Sequence, residues 1–191
     1  LEFRRVLFRS FSPAAAAPAG ATTRIPTIRA STVNEQDPEM GYPQLARILR
    51  RAGVSDNDAN IIDARELFKR MVFNILIDNT EDHEKNHVIL VREDQQYVLA
   101  PAFDVLPIAQ SLGYQAMVVG QQGAESTIDN ALSVADQYWL TSRDAIAEAR
   151  QVAQAIMHWR QHFVAQGVPE TTCEELAQHI DRPFLKDQRR A

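Results

Sequence analysis

The stretch Asn79-Thr80-Glu81-Asp82-His83-Glu84-Lys85-Asn86, followed eighteen positions later by Asp104, gathers the side chains of this chain best suited to chemistry. Transfer of a phosphoryl group asks a protein for one carboxylate to accept or orient a hydroxyl proton. It also asks for an amide oxygen and a second carboxylate to hold the magnesium ions that neutralise the phosphates. Glu81 or Asp82 can fill the first role, and Asn86 with Asp104 the second. Hard oxygen donors suit magnesium, which keeps several of its waters and takes further oxygens from the phosphates.

The surrounding sequence supplies elements able to position such groups. Leu67, Phe68, Met71, Val72, Ile75 and Leu76 recur at helical spacing, which predicts a largely buried helix over about 64–78 that stops where the polar loop begins. Val88-Ile89-Leu90-Val91 and Tyr97-Val98-Leu99 are short β-prone runs around the polar Arg92–Gln96, a hairpin signal. The order is therefore helix, polar loop, hairpin, then Asp104 within Ala-Phe-Asp-Val-Leu-Pro.

Asn-Thr-Glu-Asp-His-Glu-Lys-Asn-His joined to Leu-Ala-Pro-Ala-Phe-Asp-Val-Leu-Pro resembles the HipA-like serine/threonine kinases of bacterial toxin–antitoxin systems. The resemblance continues through Asn130-Ala131-Leu132-Ser133 to the tail Ile180–Leu185 and covers roughly residues 24–191. It implies a mainly α protein-kinase-like C-lobe, a helical subdomain with a small β-hairpin. It further implies ATP and Mg2+ as cofactors, Asn86 and Asp104 as the metal ligands, and His83 and Lys85 as contacts to the nucleotide phosphates. The family's catalytic Asp lies five residues before the metal-binding Asn, as in the general kinase loop. That position is Glu81 here, with Asp82 one place later as its rival. The implied partners are a protein substrate, an aminoacyl-tRNA synthetase being known for the family, and a HipB-like DNA-binding antitoxin.

With 191 residues and 45% hydrophobic content, the chain suits one domain with a real core. The net charge of −5 is uneven: residues 1–30 hold five Arg and one Glu, so the remainder is near −9. So acidic a body argues against direct nucleic-acid binding. A single cysteine, Cys173, excludes an intrachain disulfide and a zinc-binding cysteine set, in keeping with a reducing cytoplasm. No apolar run has the length of a membrane span, so a soluble, cytoplasmic protein without membrane attachment is expected. Residues 1–22 begin without Met, carry basic residues and an Ala/Pro-rich stretch, and read as a non-native or disordered segment before a lobe at 23–191. The seven glycines are scattered and form no phosphate-covering loop, so the chain reads as an N-terminally truncated lobe, inactive by itself.

Elsewhere, residues 43–53 predict a short helix with Pro in its first turn and Gly past its end. Asp56-Asn57-Asp58 offers caps for the next helix. A short strand is expected at Gln115–Val119, ended by Gly120 and Gly123. Thr141, with Asp144 at the third position, should cap one long helix carrying Ala149, Val152, Ala153, Ile156, Trp159 and Phe163 on its buried stripe. Gly167 and Pro169 end it and begin a final helix, with Cys173 a small buried residue near its start. The Lys186–Arg190 tail reads as a frayed, solvated terminus. His158 and His162 read as a solvent-facing pair, and His83 and His87 as structural. Two other functions compete: a metal-dependent hydrolase using Asp82, His83, His87 and Asp104, and a non-catalytic module that binds the antitoxin.

Overall fold

The computed structural model describes residues 27–29, 41–108 and 112–190. The expected non-native segment 1–22 lies outside them. Because residues 67–77 are apolar on every side apart from Lys69, Arg70 and Asn74, this stretch makes a helix that belongs in the interior. It forms the C-terminal part of a helix spanning Ala59–Ile77. With Tyr42–Ala52 as α1, this central helix is α2. Around it pack α1, α3 (Ile128–Leu132), α4 (Ser142–Met157), α6 (Glu170–Ile180) and α7 (Pro183–Gln188), while α5 (Trp159–Ala165) lies against α6. Leu67, Phe68, Met71, Val72, Ile75 and Leu76 of α2 have no exposed surface.

The two expected strands form a hairpin, β2 (Val88–Val91) and β3 (Tyr97–Leu99), paired Ile89 to Leu99 and Val91 to Tyr97. A third strand that the sequence reading did not foresee, β1 (Thr27–Arg29), adds antiparallel to β2. The sheet order is β1-β2-β3. β3 is tied to β2 by a polar turn, whereas the three residues of β1 have no partner near them in sequence to signal the pairing. Mainly helical with one small antiparallel sheet, the fold is of the expected class.

Several local expectations are corrected. Gln115–Val119 is not a strand: Tyr42 N–H bonds Val118 O, Ala116 N–H bonds Thr80 O, and Gln115 N–H bonds Ala124 O. Its backbone groups are satisfied by three separate segments rather than one ladder. Gly120 sits so close to Asn130 that an added Cβ would run into the Asn130 carbonyl. Asp56–Asp58 makes a 3-10 turn in which Asn57 and Asp58 are left-handed and no side chain caps α2. The expected long helix is two, α4 and α5, broken at His158. There the backbone N–H turns to Ala155 O while ring Nδ1 meets the Gln154 carbonyl that a continuing helix would use. The buried stripe survives the break, and Thr141 Oγ1 caps α4 by accepting from Asp144 N–H.

The tail is not frayed. It folds as α7, and Arg189, 8% exposed, bonds Asp181 at 3.0 Å, the Leu76 carbonyl at 3.2 Å and the Ile180 carbonyl. Arg182 meets Asp78 at 2.6 Å. Two guanidinium groups thus stand at the C-terminal end of α2, where unpaired carbonyls and the helix dipole favour positive charge. Cys173 is buried, and His158 and His162 are exposed. Among the described residues, no helix is long and apolar enough to cross a membrane.

Burial, only partly offset by the Leu99 N–H bond and Arg70, pushes the Asp63 carboxyl up. A raised folded pKa means that the stability is present below the unfolded pKa and lost as pH rises through the folded one. Asp63→Asn keeps an oxygen for Leu99 and should raise the melting temperature at pH 7 by roughly 2 °C. A calorimetric scan of both proteins checks it; an unchanged or lower value rejects the assignment.

Candidate functional site

The site begins where α2 ends. Asp78 turns left-handed (φ 61°), its N–H returns to Ile75 O, and Asn79 N–H returns to Asn74 O at 2.9 Å. This Schellman closure ordinarily takes Gly at the left-handed position. Asp tolerates that conformation better than most residues, and here its carboxylate pairs with Arg182. The Asp78 carbonyl also accepts from Ile108 N–H at 3.0 Å, so one residue joins the helix end, the loop and the segment after Asp104.

From that turn the chain drops Asp82 into the interior, 3% exposed. Asp82 Oδ2 accepts from the Tyr42 hydroxyl, from Asn74 Nδ2 at 2.8 Å, and pairs with His87 Nε2 at 2.8 Å. Asn79 Nδ2 donates to Asn74 Oδ1 at 3.1 Å, so the amide of Asn74 joins both ends of the loop. The His87 ring stands edge-on to Tyr42, with centroids 5.5 Å apart. Burial, the largest influence, would push the Asp82 carboxyl up. The His87 charge, with hydrogen bonds from His87, Tyr42 and Asn74, outweighs it and holds the group below its ordinary value. Burial and the Asp82 charge raise the Tyr42 hydroxyl well above its ordinary value, so Tyr42 remains the donor.

The loop's outer residues have the opposite environment. Glu81, His83 and Lys85 are exposed, and Glu84–Asn86 forms a single 3-10 turn. Asn86 N–H bonds His83 O at 2.9 Å, and its Nδ2 reaches towards Glu81 O at 3.5 Å, which leaves Oδ1 as the oxygen available to a ligand. Asp104 is exposed and left-handed at φ 54°, a conformation uncommon outside Gly, and more frequent where a site demands it. Its neighbours Ala102, Phe103 and Val105 line the same small pocket as Asn86, Asp82, Asn74 and Arg70. Arg70 is fixed beneath by Glu66 at 3.0 Å and the Ala100 carbonyl at 2.8 Å.

The structure therefore brings Asn86 and the Asp104 segment to one pocket and separates the two rival acids, Glu81 outside and Asp82 inside. His87 spends its Nε2 on Asp82, and no cluster of three or more His, Cys, Asp or Glu among the described residues could hold a metal ion. The set required by the hydrolase reading does not assemble. Sequence reading missed Tyr42, Asn74 and Arg70. Asn74 had a signal, as the one polar residue within Met71–Ile77, whereas Tyr42, forty positions from Asp82, had none.

A family model described as the HipA-like C-terminal domain matches residues 7–167. No curated protein matches the chain in sequence. Among solved structures, a chain of the Shewanella oneidensis MR-1 toxin–antitoxin complex of HipA, HipB and operator DNA superposes with a TM-score of 0.63 at 11% identity. The match covers 92% of this chain and 48% of that one, so this chain spans about half the neighbour's length. At that identity the likeness concerns fold, and the fold agrees with the expected kinase-like helical lobe. With most of its length matched by the family model, the chain belongs to the HipA-like C-terminal domain family.

Proposed function

We propose that this chain is the C-terminal part of an ATP-dependent serine/threonine protein kinase of the HipA toxin type, and that the 191 residues are inactive without the remainder of such a kinase. The observation that carries the reading is the pocket shared by Asn86 and the residues flanking Asp104, with Glu81 left exposed on the same loop. Half-buried Asn86 offers Oδ1 and exposed Asp104 its carboxylate, hard oxygens of the kind that suit a magnesium ion completing its shell with water and phosphate. Bound there, the ion would supply charge neutralisation for the nucleotide phosphates. Glu81 then orients the acceptor hydroxyl and takes its proton, its longer side chain replacing the family's Asp. His83 and Lys85, exposed beside it, contact the phosphates. Asp82 acts as a positioning residue: its buried carboxylate fixes the loop through Tyr42, Asn74 and His87.

The acceptor in this reading is a protein, with an aminoacyl-tRNA synthetase as the family's precedent, and a HipB-like antitoxin is the regulatory partner. The solved neighbour is itself a complex with HipB and operator DNA, which supports that partner. A cytoplasmic location accords with these partners.

Phosphate transfer from labelled ATP by the whole kinase, with the Glu81→Gln and Asp82→Asn variants in parallel, tests the assignment. Glu81→Gln should slow transfer by about 10²- to 10⁴-fold with little loss of thermal stability, as expected for a general base. Asp82→Asn should lower stability as well as rate. Full activity of Glu81→Gln would reject Glu81 as base. Absence of transfer by the intact wild-type protein, with antitoxin still bound, would favour the non-catalytic module.

A further inference from the structure

Residues 101–107, which carry Asp104, form neither helix nor strand, so their position rests on what grips the two ends. At the far end, Ile108 N–H bonds the Asp78 carbonyl at 3.0 Å, at the C-terminal cap of α2. At the near end, four positions before Asp104, the Ala100 carbonyl accepts from Arg70 Nη1 at 2.8 Å, again from α2. Arg70 and Asp78 are eight residues apart, about 12 Å along a helix. The arm that carries Asp104 is thus strung between two fixed points of the central helix. Asn86 lies against it, because Arg70, Asn86, Ala102 and Phe103 line one pocket.

The grip at Ala100 is built for geometry. Among the described residues β3 is an outer strand of the sheet. Its free edge is held by Val54 N–H at the Tyr97 carbonyl (3.1 Å) and by the Asp63 carboxylate at Leu99 N–H (2.8 Å). Asp63, Glu66 and Arg70 share one face of α2 at i, i+3 and i+7, and Glu66 fixes Arg70 Nε at 3.0 Å. The side chain of Arg70 is 8% exposed and that of Glu66 12%. An ion pair so nearly buried adds little stability over apolar side chains of the same volume. Apolar side chains, however, cannot donate to the Ala100 carbonyl, and a planar guanidinium fixed by Glu66 donates from a set place.

We propose that Arg70 is a positioning residue for the metal site: by holding the Ala100 carbonyl it fixes where Asp104 stands relative to Asn86, and so sets the affinity for magnesium. This rests on the kinase reading above, with Asn86 and Asp104 as the ligands. Groups that orient metal ligands from behind commonly change metal affinity or activity by about 10- to 100-fold.

Two measurements test it. The variant carries Arg70→Met with Glu66→Met, which removes both charges together and leaves no lone buried carboxylate; should it not fold, Arg70→Gln takes its place. In the 191-residue chain, amide hydrogen exchange at Ala100 and Ile108 should quicken by about tenfold, while Ala149 and Val152 of α4 stay unchanged. In the whole kinase at saturating ATP, the magnesium concentration for half-maximal transfer should rise by about tenfold, with the rate at saturating magnesium within about threefold of wild type. Arg70→Lys, which keeps one donor for the Ala100 carbonyl, should recover part of both effects. Unchanged exchange at Ala100 and Ile108 overturns the proposal, as does exchange quickened equally in α4. Quickened exchange with transfer at the wild-type magnesium requirement rejects this proposal alone and leaves Arg70 a structural residue. No transfer by wild type at any magnesium concentration rejects the kinase reading, and this proposal with it.

Discussion

Replacing Asp82 by Ala should cost about 3–5 kcal/mol of stability, as breaking a buried ion pair from one side does. Ordinary domains have about 5–15 kcal/mol in total, so the variant should retain little. The Tyr42 hydroxyl, Asn74 Nδ2 and His87 Nε2 would lose their common acceptor in a space too closed for water to replace it fully. At this chain length each kcal/mol shifts melting by about 2–4 °C, so a fall of about 10 °C is expected. The check is a urea titration followed by far-UV circular dichroism. A midpoint within error of wild type would show that the loop is held by something other than this carboxylate.

The same group sets an acid limit. Its folded pKa is depressed, so its contribution is fully present above the unfolded value of about 3.9 and lost as pH falls through the folded value. Stability measured downward from about pH 5 should fall more steeply in wild type than in Asp82→Asn, which has no such proton to take up. Parallel slopes would contradict the depressed pKa.

In the kinase proposed above, Asp104→Ala should abolish phosphate transfer, by about 10³-fold or more, since charge stabilisation at the transferring group is commonly the largest catalytic contribution. Its thermal stability should hardly change. Asp104 is exposed, and Ala gives up only the ease with which Asp holds a left-handed backbone. Lost transfer with an unchanged melting temperature separates a ligand role from a folding role. Retained transfer would remove the metal assignment from Asp104, and lost transfer with a large fall in melting temperature would make Asp104 structural.

Much of the helical frame was legible because buried helices repeat an apolar face every three to four residues. The stripes of α2 and α4 are of this kind, and the Thr141 cap and the hairpin rest on signals that are equally local. The pairing of β1 with β2, the break at His158 and the lacing of residues 114–119 were not legible. Each depends on hydrogen bonds whose alternatives are local and nearly equal, or on partners far along the chain.

For the site, the sequence by itself determined the acids, the amide and their order, because motif spacing along a loop is a local property. It left Glu81 and Asp82 as rivals at adjacent positions. Only the tertiary structure separated their environments, since burial of Asp82 requires Tyr42 from α1, Asn74 from α2 and His87 just before β2 to converge on one oxygen. A buried carboxylate is tolerated only where such donors meet it, and their meeting is a property of the packed chain.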